Sequence, residues 1–272
     1  MQQAPPQLKE RRLRAGDFLT DMMRSLSFLS RIPVNDIFFE DDQRPLGQMV
    51  RAFPVAGFLI ALPAACLAAF LTWLDADPLM SAAIVLSVAT LMTGALHEDG
   101  LADTADGFGG GRTKQRALDI MKDSRIGTYG AIALVLSFLI RAAAIAALMR
   151  ELSPLAVAAC LIATACLSRG LMVWHWQTLP PAREGGSAAM AGQPGERERK
   201  GAITYGFCIA VFLCLSFFQP LLLVVALAVP FGVTYLFNRL CDQKIDGHTG
   251  DTIGATQQIT EIVMLIALAL IA

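Results

Sequence analysis

The sequence predicts an all-α, polytopic membrane helix bundle of about seven transmembrane helices, with an amphipathic interfacial helix in front of it. Three observations predict this. Of 272 residues, 55% are hydrophobic and only 17% are charged, and the mean hydropathy of +0.53 is too apolar for an ordinary soluble domain. Apolar runs recur at about 52–74, 79–97, 130–149, 153–174, 202–218, 220–240 and 256–272, close to the roughly 17–25 residues that a membrane helix needs. Lys and Arg then concentrate in alternate connections between those runs, as the positive-inside rule requires.

Residues 1–16 read as a disordered tail, since Pro5, Pro6, Lys9, Arg11, Arg12 and Arg14 leave little to bury. Residues 17–272 read as one integral-membrane catalytic domain. Asp17 to Ser30 is expected to form an amphipathic helix, with Asp17 as its cap and Phe18, Met22, Leu26 and Leu29 as its apolar stripe. With Arg24 and Arg31 beside it, the helix is expected at the membrane surface, packing on protein being the alternative. Pro33 ends it, because the residue before proline is pushed out of the helical region.

Among the seven runs the fifth and the last are the weakest. Only Gln219-Pro220 separates the fifth from the sixth, and the last carries Glu261. Trp73, Trp174, Trp176, Tyr129 and Tyr205 fall near run ends and read as an interfacial aromatic belt. His97 and His175 lie at run ends too, without the HExxH spacing of a zinc site, and read as polar interface residues. The six cysteines form no CxxC pair and read as small buried hydrophobes. Residues 183–201 read as a mobile Gly-, Arg- and Glu-rich loop. Ala142 to Ala144 and Ala156 to Ala159 permit close helix packing, within one chain or in a homo-oligomer.

Eight Lys and Arg residues precede the first run, five lie between the second and third, four between the fourth and fifth and two between the sixth and seventh. The other connections hold Asp75 and Asp77, Arg150 with Glu151, and no charge. This places the N-terminus and all the long loops in the cytoplasm. The formal net charge of −1 gives no basic balance to recruit nucleic acid.

Three polar islands fall on that cytoplasmic side. The first, His97 to Gly111, holds Glu98, Asp99, Asp103 and Asp106 with a run of glycines. Asp99, Asp103 and Asp106 stand at i, i+4 and i+7, so a helix puts them on one face, where like charges repel. A divalent cation relieves that repulsion, and Mg²⁺ favours carboxylate and phosphate oxygens. A merely solvated acidic helix end is the alternative, but it would not need the glycines, which let backbone approach a ligand. The second island, Met121 to Gly130, adds Asp123 and the fixed cations Lys122 and Arg125, suited to phosphate. The third, Asp246 to Glu261, contains Asp251, which is equally consistent with a loop ending in a capped helix. Together they suggest Mg²⁺-dependent phosphoryl or pyrophosphate chemistry at a lipid bilayer.

The wording of these islands resembles the cobalamin synthase family, the adenosylcobinamide-GDP ribazoletransferases. The resemblance rests on Glu98-Asp99-Gly-Leu-Ala-Asp103-Thr-Ala-Asp106-Gly, on Lys122-Asp123-Ser-Arg125-Ile-Gly-Thr-Tyr-Gly, and on Thr249-Gly-Asp251-Thr-Ile-Gly-Ala with Gln257 and Glu261. Phe28-Leu-Ser-Arg31-Ile-Pro33 is similar to the family's opening signature. Asp246, where glycine is expected, and Lys122, where arginine is usual, depart from the pattern. The resemblance implies a bacterial cytoplasmic (inner) membrane enzyme acting on adenosylcobinamide-GDP and α-ribazole or its 5′-phosphate. The ribose 3′-hydroxyl attacks the cobinamide-linked phosphorus, GMP leaves, and adenosylcobalamin or its 5′-phosphate forms. Mg²⁺ is the implied cofactor.

On this plan Glu98, Asp99, Asp103 and Asp106 are the expected Mg²⁺ ligands. Asp106, then Asp123, is the expected proton acceptor. Arg31, Lys122, Arg125, Asp251 and the backbone at Gly107 and Gly109 are expected to meet the substrates. A polyprenyl transferase would use similar Asp-rich loops, but with two matched repeats. A cation transporter would place its carboxylates near mid-span.

Overall fold

A computed structural model describes residues 15–39, 44–183 and 185–272 of the chain. Among the described residues eleven α-helices follow one another: α1 (Ala15–Leu29), α2 (Phe53–Trp73), α3 (Pro78–Thr93), α4 (Leu96–Gly110), α5 (Lys114–Ile120), α6 (Thr128–Glu151), α7 (Pro154–Thr178), α8 (Ser187–Met190), α9 (Glu196–Cys214), α10 (Pro220–Ile245) and α11 (Gly250–Ile271). No strand occurs among the described residues. The expected tail lies outside the described residues except for Ala15 and Gly16, which open α1. The side chain of Asp17, the expected cap, lies outside them as well.

Among the described residues five helices, α2, α6, α7, α10 and α11, are long and apolar enough to cross a membrane, and α3 with α4 makes a sixth if that bent pair counts as one span. The chain is thus a polytopic helix bundle with one or two fewer such spans than the seven apolar runs suggested. The fifth run is one of those missing, and the bent second run is the other when it is not counted as a span. Glu196, Arg197, Glu198, Arg199 and Lys200 open α9, and the apolar remainder is too short by itself to cross about 30 Å of hydrocarbon. It still packs in the bundle, because Ala210, Cys214 and the following Phe218 share a core with Leu148 and Val157. The last run, α11, qualifies despite Glu261.

Helix α7 is the axis. Of its apolar window 94% is buried, against 33% for α10, so α7 sits inside while α10 keeps an outer face. Small side chains make that possible. A Cβ on Gly170 would come within 2.9 Å of the Ala202 carbonyl oxygen and one on Gly206 within 2.9 Å of the Cys166 carbonyl oxygen, so α7 and α9 touch backbone to backbone. Gly170 of α7 and Gly206 of α9 are therefore used for packing within the chain. Outer faces of α6 and α10 present Val135, Leu136, Leu139, Leu221, Val224 and Leu236, as a lipid-facing surface requires.

Helix α1 buries its stripe on protein. Leu26 and Leu29 join Phe53, Ile60, Met172 and Trp176 in one core, and the ring of Phe18 meets that of Tyr205 edge-on. Asp21, fully buried, ties the helix to the start of α2 by accepting from Arg44 (2.7 Å) and Arg51 (3.0 Å). Burial pushes its carboxyl up, and the two guanidiniums oppose that shift. All six cysteines are free, and four of them, Cys160, Cys166, Cys214 and Cys241, are buried.

Candidate active site

The site is built on α4, and α4 exists because the second apolar run breaks. Gly94 (φ 63°) and Ala95 (φ 59°) both adopt the left-handed conformation, and α4 leaves α3 at 91°. An alanine there costs roughly 1–2 kcal/mol, so the surroundings must hold the bend. The Arg31 N–H donates to the Met92 carbonyl (2.8 Å), and its side chain lies across Gly94, with Cγ 3.1 Å from where a Cβ would stand. Arg31 therefore braces the bend beside the site.

The four carboxylates of α4 do not share one environment. Asp106 is buried and accepts from the N–H of Gly127 (2.7 Å) and the N–H of Gly130 (2.8 Å). These are orphan donors at the start of α6, so Asp106 caps that helix from a neighbouring one. The first and second islands are thereby joined. Glu98 points the other way, into the bundle, where its Oε1 accepts from Arg141 Nη1 (3.2 Å) and Gln258 Nε2 (3.3 Å). Asp99 is exposed and Asp103 half-buried, and among the described residues neither has an ion-pair partner.

The third island completes this face. Helix α11 crosses α4 so closely that a Cβ on Gly100 would stand 2.7 Å from the Asp251 carbonyl oxygen, and one on Gly254 would stand 3.5 Å from the His97 Cα. Gly100 thus serves the helix crossing, which sets Asp251 beside Asp99 and Asp103. Asp103 feels the like charges of Asp99, Asp251 and Asp106. Asp251 Oδ2 accepts from Thr249 Oγ1 (3.1 Å) and lies 3.6 Å from Arg183 Nη2. Thr249 also caps α11 through a reciprocal bond with Thr252, so Asp251 is both in a capped helix and at the site. His248, just before the cap, is buried, and among the described residues neither ring nitrogen has a partner. Burial pushes its pKa down to about 4, which keeps it neutral. Among the described residues no three acidic, His or Cys side chains form a group that could hold a metal ion by themselves.

Of the second island, Asp123 and Arg125 bind each other. Arg125 Nη2 donates to Asp123 Oδ2 (2.6 Å) and Nε to Oδ1 (3.0 Å). These bonds hold the Asp123 pKa down to about 2, which makes it a poor proton acceptor. Lys122 is exposed. The expected glycine contacts go to protein: Gly107 receives Met121 and the Ala117 carbonyl oxygen of the α5 segment, and Gly109 receives the ring of Tyr129. Asp246 takes φ 49°, the left-handed conformation that explains an expected glycine there and that aspartate tolerates.

Two features were not assigned to the site by sequence reasoning. Arg141 is 2% exposed and bridges Glu98 and Glu261 with Nη1 at 3.2 Å from each. Gln257 Nε2 donates to Glu261 Oε2 (2.6 Å), and Ser137 Oγ donates to Gln258 Oε1 (3.3 Å). The network surrounds a cavity of about 60 Å³, space enough for water beside the unpartnered Arg169 Nε, Arg141 Nη2 and Glu98 Oε2. Two arginines inside apolar runs were the available signal. The second feature is a cavity of about 260 Å³ between α4, α11 and the end of α7, with Asp99, Gly100 and Asp251 in its lining. Trp176, expected in the aromatic belt, is buried and lines this cavity instead.

Comparison with known proteins bears on this arrangement. The family model for cobalamin-5-phosphate synthase matches residues 21–269. A Sinorhizobium sp. protein named adenosylcobinamide-GDP ribazoletransferase is 52% identical over 256 residues, covering 94% of this chain and 98% of its own. The Rhizobium meliloti (strain 1021) protein of that name is 53% identical over 251 residues, covering 92% and 96%. The Brucella anthropi protein of that name is 38% identical over 258 residues, covering 95% and 99%. No solved structure matches the chain. A membrane bundle that gathers three acidic and glycine-rich segments onto one helix, matched by the family model over nearly its whole length, belongs to the cobalamin-5-phosphate synthase family.

Proposed function

We infer that the chain is an adenosylcobinamide-GDP ribazoletransferase: it joins α-ribazole or its 5′-phosphate to adenosylcobinamide-GDP, the nucleotide-loop assembly step of cobalamin biosynthesis. The observation that carries this reading, beside the relatives, is the acidic cluster of Asp99, Asp103 and Asp251, of which Asp99 and Asp251 line a cavity of about 260 Å³. The ribose 3′-hydroxyl oxygen forms a new bond to the cobinamide-linked phosphorus. The phosphorus–oxygen bond to the GMP leaving group breaks, and the hydroxyl proton passes to a carboxylate.

The residues divide the work by their surroundings. Asp99 and Asp103, lacking cationic partners, are the ligands for Mg²⁺. That ion is commonly held by one or two carboxylates together with substrate phosphates, so the lack of a three-residue cage fits an ion shared with the pyrophosphate. When bound, Mg²⁺ neutralises charge on the pyrophosphate and on departing GMP. Glu98 and Asp106, though expected as ligands, are already engaged by Arg141 and by the α6 backbone. Asp106 has both oxygens bonded and Asp123 is held as a weak base, so the proton acceptor is Asp251, in the cavity lining. Arg183 beside it, and Arg125 by exchanging its partner, supply guanidiniums for phosphate oxygens. The loop charges orient this face to the cytoplasm of a bacterial inner membrane.

The test is GMP release by purified protein in detergent, supplied with adenosylcobinamide-GDP, α-ribazole and Mg²⁺. One GMP is expected per corrinoid product, and none without α-ribazole. Folded protein that releases no GMP, or releases it without forming product, would contradict the reading.

A further inference from the structure

His175, expected at the interface from its place at a run end, lies fully inside the bundle, and both of its ring nitrogens are bound. Nδ1 stands 2.6 Å from Asn238 Oδ1 on α10, and Nε2 stands 2.9 Å from Thr252 Oγ1 on α11. Its partners are an amide and a hydroxyl, neither of them charged, so the buried ring is neutral. An amide oxygen only accepts, which puts the ring proton on Nδ1 and a lone pair on Nε2. The Thr252 hydroxyl then donates to Nε2, and its oxygen accepts from the Thr249 N–H (3.0 Å). The Thr252 N–H in turn donates to Thr249 Oγ1 (3.2 Å), and the Thr249 hydroxyl donates to Asp251 Oδ2 (3.1 Å). The chain of bonds that starts at Asn238 thus ends on one oxygen of Asp251. Among the described residues the other oxygen, Oδ1, accepts no hydrogen bond.

We propose that His175 is a positioning residue for Asp251: it anchors the capped first turn of α11 to α7 and α10, and so holds Asp251 in register with Asp99 and Asp103, with Oδ1 left to accept the proton of the 3′-hydroxyl. The proposal rests on the function inferred above and on Asp251 as the proton acceptor there. A capping box needs only its own two residues, here Thr249 and Thr252. What His175 adds is a tie from that box to two other helices. Without it the Thr252 hydroxyl has a second acceptor, the Thr249 carbonyl oxygen at 3.1 Å, so the box closes on itself and the turn keeps its bonds. The turn then loses its fixed place at the point where α11 crosses α4, beside Gly100. A displacement of about 1 Å at a reacting group can cost on the order of a hundredfold in rate.

The experiment is steady-state GMP release by His175→Phe, measured per folded protein, alone and combined with Asp251→Asn. Phenylalanine keeps a ring beside Phe237 and His248 and removes both hydrogen bonds. Alone it is expected to lower kcat about ten- to hundredfold, with KM for each substrate within about threefold of wild type. In the Asp251→Asn background, where no base is left to misplace, it is expected to lower the residual kcat by less than about twofold. His175→Gln, whose amide offers an oxygen to Thr252, is expected to recover most of the loss. Asn238→Leu, which frees the imidazole to turn, is expected to show the same dependence on Asp251 and serves if His175→Phe does not fold. Wild type that releases no GMP, or Asp251→Asn at wild-type kcat, would overturn the reading on which the proposal stands. An impaired Asp251→Asn with equal losses from His175→Phe in both backgrounds, or with no loss in either, would overturn the positioning role alone.

Discussion

Asp99→Asn and Asp103→Asn each lower GMP release by at least about a hundredfold under saturating substrates, while the protein still inserts and keeps its wild-type elution profile in detergent. Asparagine preserves the shape and one oxygen of each side chain and removes only the charge. Neither aspartate has an ion-pair partner among the described residues, so neither substitution breaks a structural bond. Their like charges, with that of Asp251 near them, oppose one another in the protein, and neutralising one of them does not harm the fold. The cost falls on the bound state, where the charge is needed to hold the cation on the pyrophosphate. A variant that keeps more than about a tenth of wild-type turnover would remove that aspartate from the metal set. Solution kinetics in detergent, with a size-exclusion profile for each variant, decide the matter.

Arg141→Ala produces the opposite pattern: stability falls first, and activity falls with it. The guanidinium joins Glu98 on α4 to Glu261 on α11 inside the bundle. Removing it strands the buried Glu98 and the half-buried Glu261, a loss of about 3–5 kcal/mol for a broken buried pair. Against a typical folding stability of about 5–15 kcal/mol, that is a large fraction. The unfolding midpoint in detergent is expected to drop on the order of 10 °C. Pairing the change with Glu98→Gln and Glu261→Gln removes the stranded charges and is expected to recover most of the loss. If Arg141→Ala melts with wild type, the network does not support the α4–α11 crossing.

The bundle was legible because seven apolar runs and their loop charges carry simple physical signals. What those signals lack is depth and direction. The second run read as continuous because Gly94 and Ala95 are ordinary residues in an apolar stretch, and the bend follows from their left-handed backbone and from Arg31 lying over it. The fifth run read as a span, though a weak one, because residues 202–218 are apolar, whereas the helix starts at the five charged residues before that run and ends at Cys214. The three islands were legible as one site because the loop charges predict the same side of the bundle for all of them, and the structure brings them together around α4.

Their division of labour was not legible. Helical spacing puts Asp99, Asp103 and Asp106 on one side, yet α6 begins where Asp106 points and takes both of its oxygens. Glu98 depends on an arginine 43 residues away, which no local pattern reports. Gly100 and Gly109 read as openings for ligand, but the Asp251 backbone and the Tyr129 ring occupy those spaces. Trp176 read as belt because it lies near a run end, while its burial comes from α1 packing over α2 and α7.

The central claim is that one acidic helix carries two kinds of carboxylate, Asp99 and Asp103 for the cation and Glu98 and Asp106 for the fold. Mn²⁺ binding followed by electron paramagnetic resonance, with adenosylcobinamide-GDP present, tests it most directly. Wild type and Glu98→Gln are expected to bind Mn²⁺ alike, and Asp99→Asn and Asp103→Asn to bind it at least about tenfold more weakly. Normal binding by the two asparagine variants, with loss in Glu98→Gln, would contradict the account.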